Sequence, residues 1–269
     1  MKEQENMVLR FIKSPVVVDS TKFIALVAVL TWLMAQGTER LGYHWQWYLV
    51  PRYILSFENG AVVAGPLIEG LLVTLYITAL SLVLAFIFGL VTALLRLSHS
   101  VVGRVLARGY LEFIRNTPLL VQIFFIYFVL APVLDINRFV AAVLALSLFE
   151  GAYASEIFRA GIVSIQKEQW EAAYSTGLST RQVYRHIILP QAIRWMLPPL
   201  TSQAVSLVKD SALVSTIAIY DLTMQGQAII AETFLTFEIW FTVAAIYFII
   251  TVTLSHIAVI IENRFRIPT

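Results

Sequence analysis

GLLVTLYITALSLVLAFIFGLVTALL, residues 70–95, contains no charged residue. Its polar groups are hydroxyls such as Thr74, Thr78 and Ser81, which can bond back to carbonyls of their own helix. A straight membrane-crossing helix needs about 20 apolar residues, and this run exceeds that. The rest of the chain agrees. Of 269 residues 59% are hydrophobic and 13% are charged, against roughly a quarter charged in a soluble domain. Mean hydropathy is +0.78. So much apolar surface does not fit into one aqueous core, so lipid is the expected solvent. With no cysteine, a disulfide scaffold and a thiolate metal site are both excluded.

Working outward, five strong apolar runs emerge at 66–95, 109–134, 139–162, 191–208 and 237–261, with a weaker one at 23–35. The expected fold is all-α: a polytopic transmembrane helical bundle with a five-helix core and one extra N-terminal helix. Charge sets the orientation. With six spans and both termini cytoplasmic, thirteen of the 19 Lys and Arg fall inside: Lys2, Arg10, Lys13, Lys22, Arg96, Arg104, Arg108, Arg159, Lys167, Arg181, Arg185, Arg264 and Arg266. Arg40, Arg52, Arg138 and Lys209 fall outside, and Arg115 and Arg194 sit on helix shoulders. The 23–35 segment also has the length of a signal-peptide core, yet 22 residues precede it and no clear small-x-small cleavage site follows. It reads as an uncleaved helix, followed by an aromatic belt (Trp45, Trp47, Tyr48, Tyr53) at the outer interface.

The polar stretch between the third and fourth core runs carries a pattern of its own. Trp170, Ala173, Tyr174 and Gly177 follow helical spacing, and Lys167, Glu168 and Glu171 stand near the start. Gly177 is placed to end that helix in a left-handed conformation. Ser179 with Gln182 forms a capping-box pattern for a second short helix, and Pro190 opens the next span. The expectation is two short helices lying across the inner face, with exposed aromatics that need a partner.

Glu171-Ala172-Ala173, three residues, Gly177, nine residues, then Ile187-x-Leu189-Pro190 resembles, at every fixed position, the EAA loop of permeases in bacterial binding-protein-dependent ABC importers. Arg115-Asn116-Thr117-Pro118-Leu119-Leu120-Val121-Gln122, the segment 152–162, Leu189-Pro190-Gln191-Ala192, Pro198-Pro199-Leu200 and Lys209-Asp210-Ser211-Ala212-Leu213 are similar to the polar amino-acid subfamily (histidine, glutamate, glutamine and arginine type). The likeness covers roughly 66–262. It implies three regions: 1–65, with a cytoplasmic tail, the extra helix and the aromatic segment; a permease domain at 66–262 with its coupling loop at 164–190; and a cytoplasmic tail at 263–269. It further implies a multi-pass protein of the bacterial inner membrane, not an enzyme, that forms half of a translocation path for polar amino acids. The implied coupling residues are Glu168, Trp170, Glu171, Ala172, Ala173, Gly177, Leu178, Ile187, Leu189 and Pro190. Implied partners are ATPase subunits, a second permease (identical or paralogous), a periplasmic amino-acid-binding protein and membrane lipid, with no nucleic acid. The chain has no G-x-x-x-x-G-K-[ST] phosphate loop, so no cofactor is expected on it; ATP and Mg belong to the ATPase.

Ionisable residues at membrane depth are functional candidates. Glu150 and Glu156 lie on nearly opposite faces of the 139–162 run. Glu156 is three residues before Arg159, an easy intrahelical pair. Glu150 has no local basic partner and is read as facing a translocation path, with a structural hydrogen bond as the competing role. Tyr153, Glu156, Gln203 and Ser206 are read with it as a polar lining, and for the stripe Thr201, Ser202, Gln203 and Ser206 the competing role is to glue helices together. Pro198-Pro199 should break the helical ladder, and Ser215–Gln227 reads as a short extracytoplasmic helix. Two rival functions compete with the importer. His44, His99, His186 and His256 are scattered and no HExxH occurs, which argues against a membrane enzyme. An ion-coupled secondary amino-acid carrier is the alternative transport reading, opposed by the EAA loop.

Overall fold

In the computed structural model, residues 15–40, 42–58 and 61–265 are described. The tails at 1–14 and 266–269, with Lys2, Arg10, Lys13 and Arg266, lie outside them. The chain divides into two units, Met1–Trp47 and Tyr48–Thr269.

In the first unit, α1 runs Pro15–Arg40, longer than the apolar core at 23–35 that announced it. Val17–Gly37 is long and apolar enough to cross a bilayer. Its large side chains are exposed all round, including Phe23, Ile24 and Trp32. A helix apolar on every face suits lipid and not water. Beyond it Trp45 stacks on Trp47, with ring centroids 5.8 Å apart.

The second unit opens with a helical turn at Pro51–Ile54 and a hairpin of β1 (Leu55–Glu58) and β2 (Ala61–Ala64), in which Leu55 faces Ala64. Seven longer helices come next: α2 (Pro66–Leu97), α3 (Val101–Arg115), α4 (Leu119–Leu134), α5 (Arg138–Val163), α6 (Lys167–Ser175), α7 (180–210) and then α8 (Leu222–Thr233). The last, α9 (Thr236–Phe265), closes the chain. Of these, α2, α5 and α9 are each long and apolar enough to span.

The bundle is built on α2 crossing α5. Two of the three hydroxyls of α2 behave as expected: Thr74 and Thr78 donate to Gly70 O (3.0 Å) and Thr74 O (2.8 Å), while Ser81 donates across to Val143 O of α5 (3.4 Å). The buried face of α2 carries Thr74, Ser81, Ala85, Gly89 and Ala93. It meets a face of α5 carrying Ala142, Ser147, Gly151, Ala154 and Ser155. In lipid there is little hydrophobic gain in bringing helices together, so close backbone packing of small residues takes its place. A Cβ on Gly89 would stand 2.8 Å from that of Ala154, and one on Gly151 would stand 2.9 Å from that of Phe88.

Three sequence expectations need correction. The run at 109–134 is not one rod: α3 and α4 meet at a 108° bend over Asn116-Thr117-Pro118. Pro118 has no N–H to continue the ladder, and the residue before a proline is pushed out of the helical region. Gln122 fixes the bend by donating to Ile114 O (2.7 Å) and Thr117 O (2.8 Å). Second, Pro198-Pro199 does not break its helix. Leu189–Asp210 runs through both prolines, leaving the carbonyls of Arg194 and Trp195 without their usual helical donors. Third, Ser215–Gln227 is not one helix. A 3-10 stretch, Ser211–Ile217, ends at Ala218 with φ 57°, and α8 starts afresh at Asp221, whose carboxylate accepts from Met224 N at 2.9 Å.

Candidate functional site

The loop at 164–190 is more tightly joined to the bundle than two surface helices would be. Helix α6 ends where Gly177 adopts φ +79°, its N–H bonded to Tyr174 O at 2.9 Å. That region costs a residue with a Cβ about 1 kcal/mol or more, and glycine far less. Ser179 then starts α7 by the expected capping box: its backbone N–H donates to Gln182 Oε1 at 2.9 Å. The second short helix is not separate, however. Thr180–Val183 passes through a π-turn, Tyr184–Ile188, directly into Leu189–Asp210. The wider turn absorbs the missing donor of Pro190 without a break. The inner part of the loop and the fourth core run are therefore one helix.

The two faces of α6 differ. Trp170 packs edge-on against Tyr184, with centroids 5.2 Å apart, so it is not the exposed aromatic that the spacing suggested; Tyr174 is. Ala173 is buried, and Trp170, Leu178 and Ile187 pack with Phe158, Ile162, Val183, Ile188 and Met196 in one apolar core shared by loop, α5 and α7. Gln191 of α7 donates both to Ile187 O (2.8 Å) and to Gln169 of α6 (3.3 Å). The outward face of α6 carries Glu168, Glu171, Ala172 and Ser175, all exposed, with Lys167 paired to Glu171 at 3.0 Å. Leu189 and Pro190 are exposed as well. A Cβ on Gly177 would meet nothing within 4 Å, leaving the surface there open. Gln169 and Gln191 carry no signal in the sequence, since their pairing depends on how α6 folds back on α7.

Polar groups within the bundle fall into two sets. Glu156 forms the expected pair with Arg159 (3.2 Å), and two further arginines converge on it: Arg96 from the end of α2 (2.5 Å) and Arg115 from the end of α3 (3.2 Å). One carboxylate thus ties three helices together. The Arg115 guanidinium also lies 5.8 Å from the ring centre of Tyr153. Beside this knot Glu156 and Ala160 of α5, Ser164 just past its end, and Trp195 and Pro199 of α7 line an open groove of about 400 Å³. Glu150, on the other side of α5, is buried and has no hydrogen bond or ion pair among the described residues. Its electrostatic neighbour is Asp210, a like charge at the end of α7. Gln203 and Ser206 are half-buried on α7. Thr201 donates to Glu262 of α9 at 2.6 Å. No group of three or more potential metal ligands occurs among the described residues.

A further polar knot joins α2, α8 and α9. Leu222 N donates to Thr74 Oγ1 (3.1 Å), and the Tyr247 hydroxyl lies 3.1 Å from that of Thr223 and 3.4 Å from Asp221. Burial pushes the Asp221 carboxyl up to about 6, with backbone hydrogen bonds opposing part of the rise.

This arrangement has counterparts among known proteins. Residues 85–267 match the family of binding-protein-dependent transport system inner membrane components. The glutamine transport system permease protein of Escherichia coli is 42% identical over 204 residues, covering 75% of this chain and 93% of that protein. The L-cystine transport system permease protein of Bacillus subtilis is 41% identical over 198 residues, covering 72% and 84%. Among solved structures, an amino acid ABC transporter crystallised with histidines matches with a TM-score of 0.70 at 39% identity, over 74% of this chain and 94% of that one. An inward-facing methionine ABC transporter shares the fold, with a TM-score of 0.66 at 18% identity over 75% and 97%. Bundle, loop and sequence converge, and the chain belongs to the binding-protein-dependent transport system inner membrane components.

Proposed function

We propose that this chain is the permease subunit of an ATP-driven importer of polar amino acids, working beside a second permease and fed by an extracytoplasmic binding protein. One observation carries the reading: the outer face of α6 is free to dock, while its inner face belongs to the same core as α5 and α7. A push on Glu168, Glu171 or Ala172 is passed to helices that cross the membrane. ATP and Mg sit on the ATPase, and their closure enters this chain through 168–190. The names of the glutamine and cystine permeases support amino acids as the cargo class.

In this reading six segments cross the bilayer, with the loop, α2's end and both termini on the cytoplasmic side. Helix α4 is short, roughly 24 Å at 1.5 Å per residue, and completes its crossing together with the bend to α3. Glu150 and Asp210 face the path and favour the α-ammonium that every amino acid carries; Tyr153, Gln203 and Ser206 extend the lining. Neither carboxylate forms an ion pair among the described residues, and a passing cation stabilises both.

The test is reconstitution of the permease with its ATPase and binding protein in liposomes, measuring uptake of labelled glutamine, cystine and arginine. Uptake should require ATP and the binding protein, and Glu171→Lys should abolish it while leaving the permease in the membrane. Uptake driven by an ion gradient without ATP would overturn the assignment in favour of a secondary carrier.

A further inference from the structure

Helix α3 is the amphipathic element of the bundle, and it presents three faces instead of two. Gly103, Ala107, Leu111 and Ile114 are buried against α2 and α5. Tyr110 anchors that face by donating to Leu148 O of α5 at 2.5 Å. A second stripe, Val102, Leu106 and Phe113, is apolar and exposed, each residue at 60% or more. Such a stripe on a membrane protein belongs in hydrocarbon. The third stripe holds Arg104, Arg108 and Arg115, on the side of the helix roughly 160° from Val102, Leu106 and Phe113; exposed Val101 and Val105 stand between the two, one helical turn before Arg104 and Arg108.

These arginines are not alike. Arg115 is paired with Glu156, a carboxylate it shares with Arg96 and Arg159, and the nearby acid, Glu112, accepts from Asn116 at 3.0 Å. Arg104 and Arg108 are exposed and have no ion-pair or hydrogen-bond partner among the described residues. They occupy the first two turns of α3. That end comes after α2 and a short link, and Leu97, the last residue of α2, packs in the same core as the 164–190 loop. The 108° bend turns α3 away from the direction of α4, so it lies across the bundle and not along it. A helix with one apolar stripe in lipid, one stripe on protein and unpaired cations at the boundary is an interfacial helix.

We propose that α3 rests in the cytoplasmic leaflet and that Arg104 and Arg108 hold the phosphate groups of anionic phospholipids. The occupant is lipid and not protein because exposed Val101 and Val105 lie one helical turn from the free cations Arg104 and Arg108 and carry the apolar face up to them. A headgroup and its acyl chains satisfy both at once, whereas an acidic protein surface would leave Val101 and Val105 uncovered. Through Arg115 and Glu156 the same helix is tied to α2 and α5, so a headgroup bound here braces the end of the bundle nearest the coupling loop. The sidedness rests on the importer reading; the lipid contact does not.

The experiment is native mass spectrometry of the permease complex released from nanodiscs of one part phosphatidylglycerol to three parts phosphatidylcholine. The wild type should retain phosphatidylglycerol in excess of its share, and rising salt should remove the excess. R104Q/R108Q should weaken that retention by about thirty-fold, and R104K/R108K should keep it. The readout needs no transport, so it stands apart from the importer assignment. Equal retention by wild type and R104Q/R108Q would overturn the proposal, as would a wild-type excess indifferent to salt. Loss of the ATPase subunits from R104Q/R108Q with its lipid unchanged would assign the stripe to a protein partner instead.

Discussion

Gly177 separates two explanations of the loop at 164–190. Its φ of +79° makes any residue with a Cβ strained, yet a Cβ there would meet nothing within 4 Å of this chain. Replacement by alanine therefore costs only the left-handed backbone penalty, about 1 kcal/mol. Asparagine tolerates that region better and should cost less. If the glycine serves the fold alone, transport should recover in the order alanine, asparagine, wild type. If it serves close approach of an ATPase groove, Gly177→Ala and Gly177→Asn should be impaired alike, because both add atoms to the docking surface. Gly177→Asp, with a charge as well, should be worst. The assay is ATP-dependent uptake in proteoliposomes alongside the ATPase rate, with thermal stability of each permease measured in detergent. We expect near-wild-type stability in all three variants and uptake lost in parallel with residual, uncoupled ATP hydrolysis. Full uptake by Gly177→Asn, with Gly177→Ala defective, would refute the close-approach argument and leave only the backbone one.

Two other sites make separate predictions. Gly151→Ala places a Cβ 2.9 Å from that of Phe88 and 3.1 Å from the Tyr110 hydroxyl, so α2 and α5 must part, at about 1–3 kcal/mol; Gly109→Ala, with nothing within 4 Å, should be neutral or stabilising. Matched melting curves in detergent decide it, and equal midpoints for the two variants would contradict the packing account. Asp221 is a carboxyl whose folded form holds its proton up to about pH 6 against an ordinary value of 3.8. The folded state binds the extra proton between those values, so stability from this group is full below about pH 4 and is lost as pH rises through 6, by of order 3 kcal/mol. Asp221→Asn keeps a good N-cap acceptor and should flatten that slope; an unchanged slope would mean another group titrates.

What the sequence made legible was local. The hydroxyl-punctuated run at 70–95, the Ser179–Gln182 box and the glycine stop at 177 each depend on neighbours within about four residues, where helical geometry alone fixes the outcome. The bend at Pro118 is also a local effect, and the proline before Leu119 is a usable signal for it; hydropathy runs across it because Phe113 and Ile114 on one side are as apolar as Leu119 and Leu120 on the other. The Glu156–Arg159 pair is visible for the same reason, three residues apart. Arg96 and Arg115 are not, because they come from 60 and 41 residues away. Only the parallel register of α2 on α5, set by Gly89 against Gly151 and Ala154, brings the end of α2 to Glu156. Asp210 is a neighbour of Glu150 for a similar reason.

The same distinction bears on how the loop acts. Two separate surface helices joined to the spans by flexible turns would dissipate a push before it reached the membrane. Helix α7 instead begins at Thr180 beside the loop glycine and runs through its π-turn and both prolines to Asp210, next to Glu150. Its near end is held to α6 by Trp170 on Tyr184 and by Gln169 to Gln191. Its middle carries the two carbonyls released by Pro198 and Pro199, where a helix bends most easily. A displacement of α6 must therefore tilt α7 as a lever, flexing at the prolines, and its far end moves Asp210 relative to Glu150. Replacing Pro198 or Pro199 by alanine restores a helical donor and stiffens that lever. Such a variant should dock its ATPase and hydrolyse ATP normally yet transport more slowly, and transport at the wild-type rate would show that the flexing point lies elsewhere.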